Sequence, residues 1–306
     1  MKVAFAGTPD FAATVLRALI SSKHEVALVI SQPDARRGRG RKTTPTPVAQ
    51  LAHEHDIPLT QPARIGEVSN EISAQDALVV AAYGQILRPD TLHAAKHGAW
   101  NVHGSLLPKY RGAAPVERTI MSGETQTGAT IIQMDEGLDT GMIACQRIIP
   151  LDSDATGGEL RHQLAEIGAK AMVEVLSCLE NRDLRLRKQN NVEATYAAKI
   201  SSEERVVKWG EEREEVWNKI RALSPHIGAR TFHPQVEGPI KLWSVVEFRG
   251  TDPGLAPGEI SAGNGLLLVG CADGALSLEE LQLPGGRSLS AAEFLRGNGL
   301  DGSFST

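Results

Sequence analysis

Asn101 and His103 stand one residue apart at the end of an apolar run, inside the stretch Gly98-Ala99-Trp100-Asn101-Val102-His103-Gly104-Ser105-Leu106-Leu107-Pro108-Lys109-Tyr110-Arg111-Gly112-Ala113. Alternate side chains of a strand share a face, so this spacing projects the amide and the imidazole together. Gly104 permits a turn that a larger residue would resist, and Pro108 stiffens the exit. An amide polarises a carbonyl and an imidazole moves a proton, which is a reaction site in outline. A second polar loop, Asp135-Glu136-Gly137-Leu138-Asp139-Thr140-Gly141, follows downstream. Its acids fit turn formation or a metal site, but metal binding calls for more ligands at set spacing. Asp139 as orienter and charge partner of His103 is the sharper expectation.

A third group is basic. Residues 32–47 carry Arg36, Arg37, Arg39, Arg41 and Lys42 against the single acid Asp34, on a chain whose formal net charge is −5. A connection this long, rich in Arg and interspersed with Gly, is suited to order on a phosphate backbone. The global balance carries no nucleic-acid signature, so such binding rests on this local patch. Gly7-Thr8-Pro9-Asp10 invites comparison with a dinucleotide turn, but G-x-G-x-x-G is absent and Pro9 interrupts the helix start, so no nucleotide cofactor is expected. Cys145, Cys178 and Cys271 are scattered without metal-ligand spacing and read as buried thiols.

The elements that must position these residues follow from periodicity. Residues 2–7, 25–31, 77–82 and 98–103 read as strands, and 11–20, 46–55 and 65–72 as helices. Strands alternating with helices predict a parallel α/β sheet, with ligands beyond the strands' carboxyl ends, where Asn101 and His103 fall. Two further β runs, 128–134 and 142–149, bracket the acidic loop. A long amphipathic helix over 156–179 starts with a capping box, Thr156 with Glu159. The chain then turns polar to about residue 206. A helix near 211–222 and short strands near 239–248, 265–271 and 275–283 predict a β-rich module, read as a barrel. A chain of 306 residues implies two domains, here 1–188 and 207–306 joined by a linker at 189–206. With no run of eighteen apolar residues and no leader, the chain reads as a cytoplasmic, bacterial-type protein.

The segments Phe5-Ala6-Gly7-Thr8-Pro9-Asp10-Phe11, Asn101 to Pro108, Tyr110-Arg111-Gly112-Ala113-Ala114-Pro115, Asp135 to Gly141 and Thr195-Tyr196-Ala197 resemble the methionyl-tRNA formyltransferase family. The Asn, His and Asp are shared by 10-formyltetrahydrofolate-dependent formyltransferases generally. One departure is Leu223-Ser224-Pro225-His226-Ile227, where the family often carries an Asn-Pro-Trp-Pro-like stretch. The resemblance implies a Rossmann-like N-terminal domain, a linker and an OB-like C-terminal barrel that contacts tRNA. It implies a monomer that moves a formyl group from 10-formyltetrahydrofolate, without a metal, to the α-amino group of methionyl initiator tRNA. Asn101 and His103 would hold the oxyanion and Asp139 would assist proton removal. Ser105, Leu106, Leu107 and Pro108 would wall the folate cleft, with Tyr83, Gly84, Ile86 and Leu87 opposite. Arg36, Arg37, Arg39, Arg41 and Lys42 would grip the tRNA. Two alternatives remain open at this point: another formyl-folate enzyme, acting on an amino sugar or small amine or hydrolysing the donor, and a non-catalytic RNA-binding protein.

Overall fold

The computed structural model of the chain describes every residue except 38–41, 264, 298 and 306; at 35–37, 42 and 43 it describes the backbone alone. The chain divides into two compact units, Met1–Pro115 with Gln126–Pro150 and Arg161–Ala197, and Val116–Thr125 with Leu151–Leu160 and Ala198–Thr306. The boundary after Ala197 lies inside the linker expected at 189–206. The unit boundary falls after Ala197, because residues 187–197 are hydrogen-bonded into the first unit.

As far as residue 197 the elements are β1 (Lys2–Gly7), α1 (Asp10–Ile20), β2 (Glu25–Ile30), β3 (Ala35–Arg37), β4 (Lys42–Thr44), α2 (Pro47–Glu54), β5 (Leu59–Thr60), α3 (Ser69–Ser73), β6 (Ala77–Ala81), α4 (Pro89–Leu92), β7 (Ala99–His103), β8 (Arg111–Gly112), α5 (Pro115–Met121), β9 (Gln126–Gln133), β10 (Met142–Pro150), α6 (Gly157–Glu180) and β11 (Tyr196–Ala197). The main sheet runs β10-β9-β7-β6-β1-β2-β5. Strands β5, β2, β1, β6 and β7 are parallel, while β9 runs antiparallel to β7 and β10 to β9. The fold is therefore Rossmann-like with an antiparallel edge. The parallel strands are continuously apolar because both faces are covered: β6 is buried throughout, and β1 from Val3 onward.

The placement of β7 sets the site. Val102 points to the opposite face from Asn101 and His103, and a Cβ on Gly168 of α6 would meet Val102 Cγ1 at 2.6 Å. Only a glycine lets the helix come this close behind the strand. Burial of Leu164, Ala165, Ala169, Met172 and Leu176 holds α6 there. The capping box expected at its start is present: Glu159 Oε2 accepts from Thr156 N at 2.9 Å, and Glu159 N donates to Thr156 Oγ1 at 3.3 Å.

The second unit contains α7 (Arg213–Leu223), β12 (Ala229–His233), β13 (Val236–Glu247), β14 (Ile260–Gly263), β15 (Leu266–Cys271), β16 (Gly274–Gln282), β17 (Ser288–Ser290) and α8 (Ala291–Gly297). Its strands form an antiparallel sheet ordered β12-β13-β16-β15-β14, with β17 on β16. Strands β12, β14 and β17 had no clear alternation in the sequence. Trp209 anchors this unit: it is buried, stacked on Phe304 at 5.7 Å, with its indole N–H donating to Thr231 Oγ1 at 3.0 Å. Trp209→Ala removes both contacts and leaves a void, with an expected cost of about 3–5 kcal/mol. Denaturant unfolding followed by probes in residues 198–306 measures it, and a loss below about 1 kcal/mol would contradict the anchor role. Among the described residues no helix is long and apolar enough to cross a membrane.

Candidate active site

The β7 register sets Asn101 opposite Ile132 and His103 opposite Thr130 of β9. Both polar side chains leave the strand on one face, and the β9–β10 loop brings Asp139 to them. Asp139 Oδ2 lies 3.6 Å from His103 Nδ1, and Asn101 Nδ2 lies 3.5 Å from Asp139 Oδ1. The backbone N–H of Gly112 donates to Asp139 Oδ2 at 2.8 Å. The three residues expected from sequence therefore meet at the carboxyl end of β7.

The other imidazole nitrogen is already committed. His103 Nε2 lies 2.9 Å from the Tyr110 carbonyl oxygen. A carbonyl only accepts, so Nε2 carries a hydrogen and Nδ1 is the nitrogen that gains or gives up a proton. With side-chain exposures of 6% for His103 and 13% for Asp139, little water screens the pair.

Backbone strain gathers here. Asp139 has φ 53°, Tyr110 φ 62° and Ala82 φ 44°, left-handed values that cost non-glycine residues about 1–3 kcal/mol each. Gly112, at φ 121°, lies in β8, and a Cβ there would meet the Ala197 carbonyl oxygen at 2.8 Å. That approach lets β8 pair with β11 (Arg111↔Tyr196, Gly112↔Ala197) while the Gly112 N–H stays aimed at the carboxylate.

The turn after β7 is held from inside. Ser105 Oγ donates to the Lys109 carbonyl at 2.7 Å, and Thr130 Oγ1 donates to the Ser105 carbonyl at 2.6 Å while accepting from Leu107 N at 3.2 Å. The residues expected to wall a folate differ in burial. Ser105 is fully buried, and Leu107 packs with Ile132 and Ile143, so both support the turn from beneath. Tyr83 and Leu87 also turn inward, into the cluster with Leu78, Ile65, Ile72 and Leu92, because this hydrophobic layer sits directly under the loop. Burial pushes the Tyr83 phenol up to about 12, so it keeps its proton near neutral pH. Among the expected wall residues, Gly84 and Ile86 are exposed, Ile86 at 92%, and Leu106 and Pro108 are half-buried.

In the acidic loop, Asp135 is a turn former: its Oδ1 accepts from Gly137 N at 3.1 Å and from Thr140 Oγ1 at 2.6 Å. Glu136 is exposed. Of the basic segment, Arg36 and Arg37 lie in β3 and Lys42 in β4, which pair as a hairpin with Arg37 opposite Lys42. Arg39 and Arg41 lie outside the described residues.

Sequence reasoning missed the residues behind Asp139. Arg111, 2% exposed, donates through Nε and Nη2 to Gln189 Oε1 at 3.1 and 2.7 Å, and through Nη2 to Asn191 Oδ1 at 2.8 Å. Gln189 Nε2 in turn donates to the carbonyls of Asp139 and Gly141 at 2.7 and 2.8 Å. Arg111 sat in a recognisable motif without an evident role, and Gln189 lay in a polar stretch with no periodicity to mark it.

A mostly parallel sheet whose carboxyl edge brings an amide, an imidazole and a carboxylate to one point suits a transferase that acts at a carbonyl group. Residues 1–176 match the family described as formyl transferase, and residues 199–299 the formyl transferase C-terminal domain. The chain is 61% identical over 304 residues to the methionyl-tRNA formyltransferase of Rubrobacter xylanophilus, covering 99% of each. It is 42% identical to that of Methylobacillus flagellatus, covering 98% of this chain and 97% of the other. Among solved structures, a variant of HypX from Aquifex aeolicus superposes with a TM-score of 0.71 at 18% identity; it covers 98% of this chain, which spans 49% of HypX. The chain belongs to the methionyl-tRNA formyltransferase family.

Proposed function

We propose that the protein transfers the formyl group of 10-formyltetrahydrofolate to the α-amino group of methionyl initiator tRNA, producing N-formylmethionyl-tRNA for translation initiation. The observation that carries this reading is the convergence of Asn101, His103 and Asp139, within 3.6 Å of one another through the carboxylate, on a chain of this family. The formyl donor supplies an electrophilic carbonyl whose oxygen gains negative charge as an amine adds to it. Asn101 Nδ2 and His103 Nδ1, when protonated, are the donors suited to hold that oxygen. Asp139, beside both, takes part in removing the proton released by the amine, directly or through water. Gly112 N–H keeps one carboxylate oxygen oriented, and the Tyr110 carbonyl keeps the imidazole from turning.

Ser105, Leu106, Leu107 and Pro108, with Tyr83, Gly84, Ile86 and Leu87, make up the proposed folate wall, and Gly84, Ile86, Leu106 and Pro108 are the members with surface left open to a ligand. The basic segment around 36–42 supplies the charge that a tRNA backbone requires, and the C-terminal unit is assigned further tRNA contact. The protein acts as a monomer in the cytoplasm. No metal enters the scheme, since the formyl donor is already activated. A formyl-folate enzyme for a small amine would leave the basic segment without a task.

Formylation of methionyl-tRNA against free amines, with 10-formyltetrahydrofolate as donor, tests the acceptor. Activity confined to small amines would sink this reading. A companion test addresses the basic segment. Arg39→Ala is expected to raise the KM for tRNA roughly tenfold and to reduce its salt dependence, with the folate KM nearly unchanged. Equal changes in both constants would remove Arg39 from tRNA contact.

A further inference from the structure

We propose that Gln189 is a positioning residue for Asp139, clamping the backbone of the β9–β10 loop so that the carboxylate meets Asn101 and His103. This rests on the transfer reaction proposed above.

The Gln189 amide is used on both sides. Its nitrogen donates to the carbonyls of Asp139 and Gly141, and its oxygen accepts twice from Arg111. The opposite amide orientation would set oxygen against two carbonyls and N–H against a guanidinium, so the contacts admit one arrangement. The loop needs such a hold. Residues 135–138 are exposed, Leu138 at 60%, so packing does not fix it, and Asp139 must be kept at φ 53°. The clamp also closes on itself. Arg111, which orients Gln189, precedes Gly112, whose N–H grips the carboxylate of the residue whose carbonyl Gln189 holds. Backbone and side chain of Asp139 are thereby referred to one buried guanidinium. A catalytic group displaced by about 1 Å loses up to 10²-fold in rate, so a hold of this kind acts on turnover rather than on binding.

Gln189→Glu separates the two halves of the amide. It keeps an acceptor for Arg111 but has no N–H for the two carbonyls. Expected are a kcat lower by about 10–100-fold, KM values for folate and tRNA within about threefold, and a melting temperature close to wild type. In the substrate-free protein, hydrogen exchange at the Gly112 amide should quicken at least about tenfold, because its acceptor no longer stays in place. In an Asp139→Asn background the same change should cost nothing further, since Gln189 acts through that carboxylate. A Glu variant that turns over within about twofold of wild type, or one that is slow while Gly112 exchange is unchanged, overturns the proposal. If Gln189→Glu fails to fold, Gln189→Ala is read by the same criteria. Should wild-type protein fail to formylate methionyl-tRNA, the functional reading falls, and Gly112 exchange, which needs no substrate, still decides the clamp.

Discussion

His103→Ala is expected to lower kcat by about 10²–10⁴-fold while folding and tRNA affinity stay near wild type. The reason lies in how the ring is tied. Nε2 is committed to the Tyr110 carbonyl at 2.9 Å, and Nδ1 faces Asp139 Oδ2 at 3.6 Å. Removing the ring removes an electrophilic donor and a proton carrier together. Asp139→Ala should fall in the same range, because it strips the acceptor from Gly112 N–H and Asn101 Nδ2 as well as the charge beside the imidazole. The two losses should be far from additive, since both residues serve one proton path. Single-turnover formylation of methionyl-tRNA, with tRNA binding measured separately, provides the check. Near-normal turnover in either single variant would remove these residues from the chemistry.

Asn101→Ala carries the second large effect, a fall of about 10²–10³-fold in kcat with folate binding almost unchanged. An amide N–H that stabilises an oxygen only as it becomes anionic contributes to the transition state and little to the ground state. The signature is therefore a loss in kcat and kcat/KM together. Asn101→Asp, similar in shape but without the donor, should be at least as slow, since it sets a second carboxylate beside Asp139. If Asn101→Ala instead raised the folate KM and left kcat alone, Asn101 would be a binding residue and the oxyanion assignment would fail.

Parts of this site were legible before any coordinates. The i, i+2 spacing of Asn101 and His103 states that they share a face, and apolar β6 and β7 state a sheet buried on both sides. Asp139 could be singled out because it sits in a Gly-bounded loop between two β runs. The folate wall was less legible. Tyr83 and Leu87 stand beside Gly84 and Ile86 in sequence, yet they turn into the core while their neighbours face out. Loop residues have no period, so inward and outward cannot be assigned without knowing what lies beneath.

The sequence by itself determined the α/β sheet, the reacting side chains at the end of β7, the family and the concentration of positive charge at 36–42. Each depends on local periodicity or on residues close together in the chain, where a few bonds limit the relative positions of side chains. Tertiary structure alone decided that Gln189 belongs to the first unit and holds the Asp139 loop, that Gly168 lets α6 close up behind Val102, and that the Tyr110 carbonyl selects the working nitrogen of His103. Two of these contacts join positions dozens of residues apart, and the third depends on a left-handed turn at Tyr110. Chain pattern fixes which face a side chain shares, whereas only the packed fold fixes which distant backbone group arrives there.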